Sequence, residues 1–135
     1  MLLKEKYNIT RKDFQTIIGP NTIFNGNIQS AGSICIQGEI NGDIATEDDL
    51  FIDSFGHFKG NITAKNVHIS GKVDGNMISR NTIRMLSTAK VYGDLFTKGL
   101  IIEEGAVYEG KCDMKENHNF PILENGIYSR LASDL

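Results

Sequence analysis

The sequence predicts an all-β, single-domain parallel β-helix of about six rungs, and three observations carry that expectation. A five-residue motif, apolar at both ends with glycine at its centre, occurs six times: 24–28, 40–44, 58–62, 73–77, 91–95 and 108–112. The glycine-to-glycine steps are 16, 18, 15, 18 and 17 residues. A unit this short cannot bury its own apolar side chains, so each copy must lean on its neighbours in a solenoid.

Each rung starts with an apolar-x-apolar triplet upstream of the motif: Ile34-Cys35-Ile36, Leu50-Phe51-Ile52, Val67-His68-Ile69, Ile83-Arg84-Met85 and Leu100-Ile101-Ile102, with Thr16-Ile17-Ile18 as the first copy. Strand alternation sends the outer two side chains inward and the middle one outward. Next comes a corner of variable length, three residues at 37–39 and 70–72 and five at 19–23, 53–57, 86–90 and 103–107. Variation confined to one corner fits stacked strands joined by free loops. In the motif itself, glycine fits a bend where a Cβ would clash. The Asn or Asp after it in five of six copies fits the unusual dihedrals of such bends. A small residue two places after each motif (Ser30, Thr46, Ala64, Ser79, Thr97) marks the last corner. Cys112 falls in the column of Ile28, Ile44, Ile62, Met77 and Leu95 and reads as an apolar substitute, not a nucleophile.

The rungs occupy residues 15–114, with an N-terminal tail at 1–14 and a C-terminal tail at 115–135, both short and flexible. The bulk numbers fit one domain: 135 residues, 40% apolar, 23% charged, net charge −3. That balance argues against a nucleic-acid partner, which needs a clustered basic face. Met1-Leu2-Leu3 is too short for the apolar core of a signal peptide, and no run reaches a membrane span. Two cysteines outside any CxxC fit a reducing cytoplasm.

No cofactor, metal or small-molecule site is expected. His57, His68 and His118 fall in a corner, an outward column and the tail, without metal-ligand spacing. The acids Glu47-Asp48-Asp49 read as a solvated corner, and phosphate-cradling or nucleophile-elbow motifs are missing. The enzymatic rival is a hexapeptide-like acyltransferase, whose apolar residues recur every six positions. Here Ile28, Ile34 and Ile40 obey that period and Ile44 breaks it. A further alternative is a β-helix interaction module that does not polymerise and docks a partner along Ile17, Phe51 and Ile101.

Neither end carries an obvious cap, and uncapped rungs invite end-to-end association. The interface expected from this comprises Ile17, Ile18, Ile23 and Phe24 at one end, and Val107, Tyr108, Cys112 and Met114 at the other. These repeats, and most specifically the segment from Ile101 to Met114, resemble the bactofilin family. The resemblance implies a bacterial polymer-forming cytoskeletal protein with a right-handed β-helix core. It also implies nucleotide-independent, non-polar filaments that scaffold cell-wall or cell-shape machinery at the inner face of the cytoplasmic membrane. The family's large apolar residue near the C-terminal end of the core matches Tyr108 best. Its membrane-binding N-terminal tail corresponds here to Met1, Leu2, Leu3, Lys4 and Lys6. The partners so implied are the chain itself, membrane lipid and cell-wall-related proteins.

Overall fold

The computed structural model describes residues 14–114, which form sixteen short strands wound into a parallel solenoid of about six turns. Each rung contributes to three faces. The first face stacks β1 (Phe14–Ile18), β4 (Ser33–Ile36), β7 (Asp49–Ile52), the ends of β9 (Ile62–Ile69) and β11 (Met77–Met85), and β14 (Gly99–Ile102). The second face is a six-stranded sheet of β2 (Ile23–Asn25), β5 (Glu39–Asn41), β8 (His57–Lys59), β10 (Lys72–Asp74), β12 (Lys90–Tyr92) and β15 (Val107–Glu109). The third stacks β3 (Ile28–Ser30), β6 (Ile44–Thr46), the starts of β9 and β11, β13 (Leu95–Thr97) and β16 (Cys112–Met114).

Register follows the sequence columns. Phe24, Ile40, Phe58, Val73, Val91 and Tyr108 pair in succession on the second face. Ile28, Ile44, Ile62, Met77, Leu95 and Cys112 do so on the third. In the middle rungs these ladders are sealed: Ile40, Phe58, Val73 and Val91 are at 0% exposure, and Ile44, Ile62 and Met77 at 1%.

The glycine corner is sterically fixed. Gly42, Gly60, Gly75, Gly93 and Gly110 have φ between 142° and 150°, and a Cβ on any of them would overlap the carbonyl oxygen of the glycine one rung before. The residue after glycine corrects the sequence expectation. Among the described residues Asn21 is the only non-glycine with positive φ, so the Asn or Asp column is not there for its dihedrals. Its side-chain oxygens instead accept from backbone N–H groups of the next rung. Asn27 accepts from Asp43 at 2.9 Å, Asp43 from Asn61 at 3.0 Å, Asn61 from Asn76 at 3.3 Å, Asn76 from Asp94 at 2.9 Å and Asp94 from Lys111 at 3.2 Å.

The small-residue corner is partly a continuous strand. β9 and β11 run straight through it and join the first and third faces into one ten-stranded sheet, with an irregularity between Ser79 and Thr82. Small hydroxyl residues suit the site because they turn back onto backbone carbonyls: Thr46 donates to Gly32 at 2.6 Å and Ser79 to Lys65 at 2.7 Å.

Candidate polymerisation surfaces

A strand with a neighbour on one side only leaves a row of backbone donors and acceptors open. β1, β2 and β3 each pair with one strand, as do β14, β15 and β16. Both ends of the described solenoid therefore present three open edges around the apolar axis.

The side chains there match. Ile17 (48% exposed), Ile23 (64%), Ile101 and Ile102 (44% each), Val107 (39%) and Met114 (45%) lie on the first or last rung. Phe55 and Ile78 are the other exposed large apolar residues among those described. Ile102 stacks beyond Ile36, Ile52, Ile69 and Met85, which are at most 1% exposed, and is bare because it lies on the last described rung. Ile18, Phe24, Tyr108 and Cys112 are half-covered and packed on the core. The eight residues expected at the interface thus divide four to each end.

One signal escaped the sequence reading. An outward ladder on the second face runs Ile23, Glu39, His57, Lys72, Lys90, Val107. It is polar through the middle and apolar only at its two ends. Met114 breaks the small column in the same way, standing in register after Thr97.

Tyr108 is held more firmly than an exposed aromatic. Its ring continues the inward ladder beyond Val91, and its hydroxyl, 2.9 Å from the Lys111 carbonyl and 3.1 Å from that of Gly93, donates to them. Burial, then Cys112 and Asp94, push the phenol up to about 12. Burial and Asp113 raise the Cys112 thiol, in keeping with an apolar role.

The outward middle column of the first face runs Ile17, Cys35, Phe51, His68, Arg84, Ile101. Phe14 and Phe51 meet edge to face at 5.0 Å across β4, which accounts for Cys35 being 6% exposed although it points outward. Burial, then Asp53, push its thiol up to about 11. His68 stacks on Phe51 at 4.4 Å, and burial outweighs Asp49 to lower its pKa, with Arg84 acting in the same direction as burial. This stripe is a packed surface, not a continuous oily track.

Among the described residues no group of His, Cys, Asp and Glu is arranged to hold a metal, and no helix is long and apolar enough to cross a membrane. A shallow open groove on the third face has Asp43 as its only ionisable lining residue, and that carboxylate already accepts from Asn61. The candidate membrane residues Met1, Leu2, Leu3, Lys4 and Lys6, and the C-terminal tail, lie outside the described residues.

Comparison with known proteins agrees with this geometry. The family model described as bactofilin, polymer-forming cytoskeletal, matches residues 16–113. Three Myxococcus xanthus (strain DK1622) proteins are similar over 73% of this chain. Bactofilin BacN is 34% identical with 87% of its length covered, and BacO is 29% identical with 79% covered. BacP is 26% identical, and the match spans only 41% of its length. The crystal structure of a mutant bactofilin from Thermus thermophilus superposes with a TM-score of 0.62 at 27% identity, covering 65% of this chain and 98% of that one. The family model spans most of the chain and describes a polymer-forming cytoskeletal protein, not an enzyme: the chain belongs to the bactofilin family.

Proposed function

We propose that this protein is a nucleotide-independent scaffold that polymerises end to end into non-polar filaments. The observation that carries the reading is the concentration of exposed apolar side chains and open strand edges on the first and last rungs. Stacking two such ends removes apolar surface from water and pairs the idle backbone groups.

The polarity of the stack rests on the last rung. A head-to-tail junction would continue the Asn/Asp ladder and ask residue 111 to accept from the next copy. Lys111 offers only donors there, so that continuation lacks its acceptor. The first rung, 14–32, holds no charged residue, which suits a junction between two like ends.

In this reading the filament organises cell-shape or cell-wall machinery at the inner face of the membrane. Residues 1–14 supply weak lipid contact, which polymerisation multiplies. Tyr108→Arg should abolish filaments, because it sets a charge in a desolvated junction. Circular dichroism should still report a folded β-rich chain. Filaments that persist in the variant would remove Tyr108 from the junction. Deleting residues 1–14 should leave filaments intact and reduce co-sedimentation with anionic vesicles; lost filaments would give that tail a structural role.

A further inference from the structure

Counted rung by rung, the formal charge is banded along the axis. The first rung (14–32) has none, and the second (33–48) carries Glu39, Asp43, Glu47 and Asp48 with no cation. The third (49–65) balances Asp49 and Asp53 with Lys59 and Lys65. The fourth (66–81) has Lys72 and Arg80 against Asp74, and the fifth (82–98) has Arg84, Lys90 and Lys98 against Asp94. The sixth (99–114) has Glu103, Glu104, Glu109 and Asp113 against Lys111. The net sequence is therefore 0, −4, 0, +1, +2, −3.

All seven cations of rungs three to five are exposed, and they lie on more than one face: Lys59, Lys72 and Lys90 on the second, Arg84 on the first, Lys65, Arg80 and Lys98 where third gives way to first. They are hardly neutralised from within. Among the described residues the only ion pair is Arg84–Glu103 at 3.5 Å, and none joins the acidic second rung to the basic fifth. Lys72 and Lys90 even stand directly opposite each other in the ladder, an unfavourable like-charge pairing.

We infer that the sides of the rod are a self-complementary lateral interface, which joins a second copy of this chain in antiparallel orientation. Two rods side by side in the same direction set every charged rung against its like. Turned end for end and fully overlapped, the −4 second rung faces the +2 fifth rung twice, once on each side of a two-fold axis at mid-rod. The neutral first rung then faces the −3 sixth rung, so no strongly like-charged bands meet. Single exposed pairs contribute little, but a filament repeats the match with every subunit. A long polyanion or a flat anionic membrane fits less well, because the acidic bands would be held against it. This inference goes beyond end-to-end assembly, although non-polar filaments supply the antiparallel neighbours it needs.

Negative-stain microscopy that counts filaments side by side, between about 50 mM and 0.5 M NaCl, tests it. At the lower salt the Debye length exceeds 10 Å and bands on touching rods attract; at the higher it is about 4 Å. Wild-type filaments should pair or bundle at low salt and separate at high salt without loss of filaments. The double variant Glu47→Lys/Lys98→Glu keeps the net charge at −3 while taking the second rung to −2 and the fifth to 0. It should polymerise normally and pair at the lower salt no more than the wild type does at the higher, because its facing bands, −2 against 0, no longer attract. Single filaments at every salt, bundles indifferent to salt, or bundles unaffected by the double variant would each overturn the lateral proposal and leave end-to-end assembly standing. Vesicle binding that the double variant loses, with bundling unchanged, would assign the bands to an anionic membrane instead and likewise overturn it. Without filaments, salt-sensitive side-by-side pairs of rods would support the lateral proposal and count against the end-to-end reading, whereas single rods at every salt would overturn both.

Discussion

At the scale of single residues, the glycine column separates two physical demands. Gly75 has φ 150° and lies where a Cβ would overlap the Gly60 carbonyl, whereas a Cβ on Gly26 (φ 143°) would meet, among the described residues, only the Phe24 ring, at 3.4 Å. Gly75→Ala should therefore lower stability by about 3 kcal/mol or more, strain plus overlap, and Gly26→Ala by about 1 kcal/mol, strain alone. Thermal melts of the two variants check the ordering; equal losses would show that the rung-to-rung approach is not the constraint. His68 gives a pH test. Its pKa in the fold lies below 6.5, first because of burial, so the folded state binds fewer protons than the unfolded one in the window below that value. Stability should be unaffected above the unfolded pKa and fall as pH drops through it toward the folded pKa. His68→Phe keeps a ring against Phe51 and should flatten that slope in melts taken between pH 7.5 and 5.

Elements were legible in the sequence to the extent that their causes are local or periodic. The apolar triplets and glycine motifs announced both inward ladders because burial repeats at a near-constant interval. The Asn/Asp column was misjudged because its partner lies a full rung away, 15 to 18 residues on, where no local rule looks. The merged corner in β9 and β11 was missed for a related reason: Ala64 and Ser79 suit a tight turn and a packed strand equally well. Ile23 and Val107 were placed at the ends by position, yet the meaning of their ladder, apolar only at its termini, emerges once register aligns them with Glu39, His57, Lys72 and Lys90. The Asn/Asp ladder also carries a prediction. Asn76→Ala removes the acceptor for the Asp94 N–H, an exposed bond, and should cost no more than about 1 kcal/mol in a melt.

On the scale of the whole molecule, the described rod (14–114) is sealed in the middle and open at both ends, and its charge is banded along its length. In the proposed filament the open ends supply the contacts that extend it, and the banded sides set whether filaments lie together. Neither property requires a nucleotide or a catalytic centre. Six rungs stacked at about 4.8 Å make a rod of about 29 Å, so a pair joined by like ends repeats at about 58 Å. Electron microscopy of the purified chain without nucleotide or metal, at moderate salt, is the most direct test of end-to-end assembly. The expected result is long unbranched filaments with an axial repeat near 58 Å. Discrete particles at every concentration and salt, sized as monomers or trimers, would contradict it.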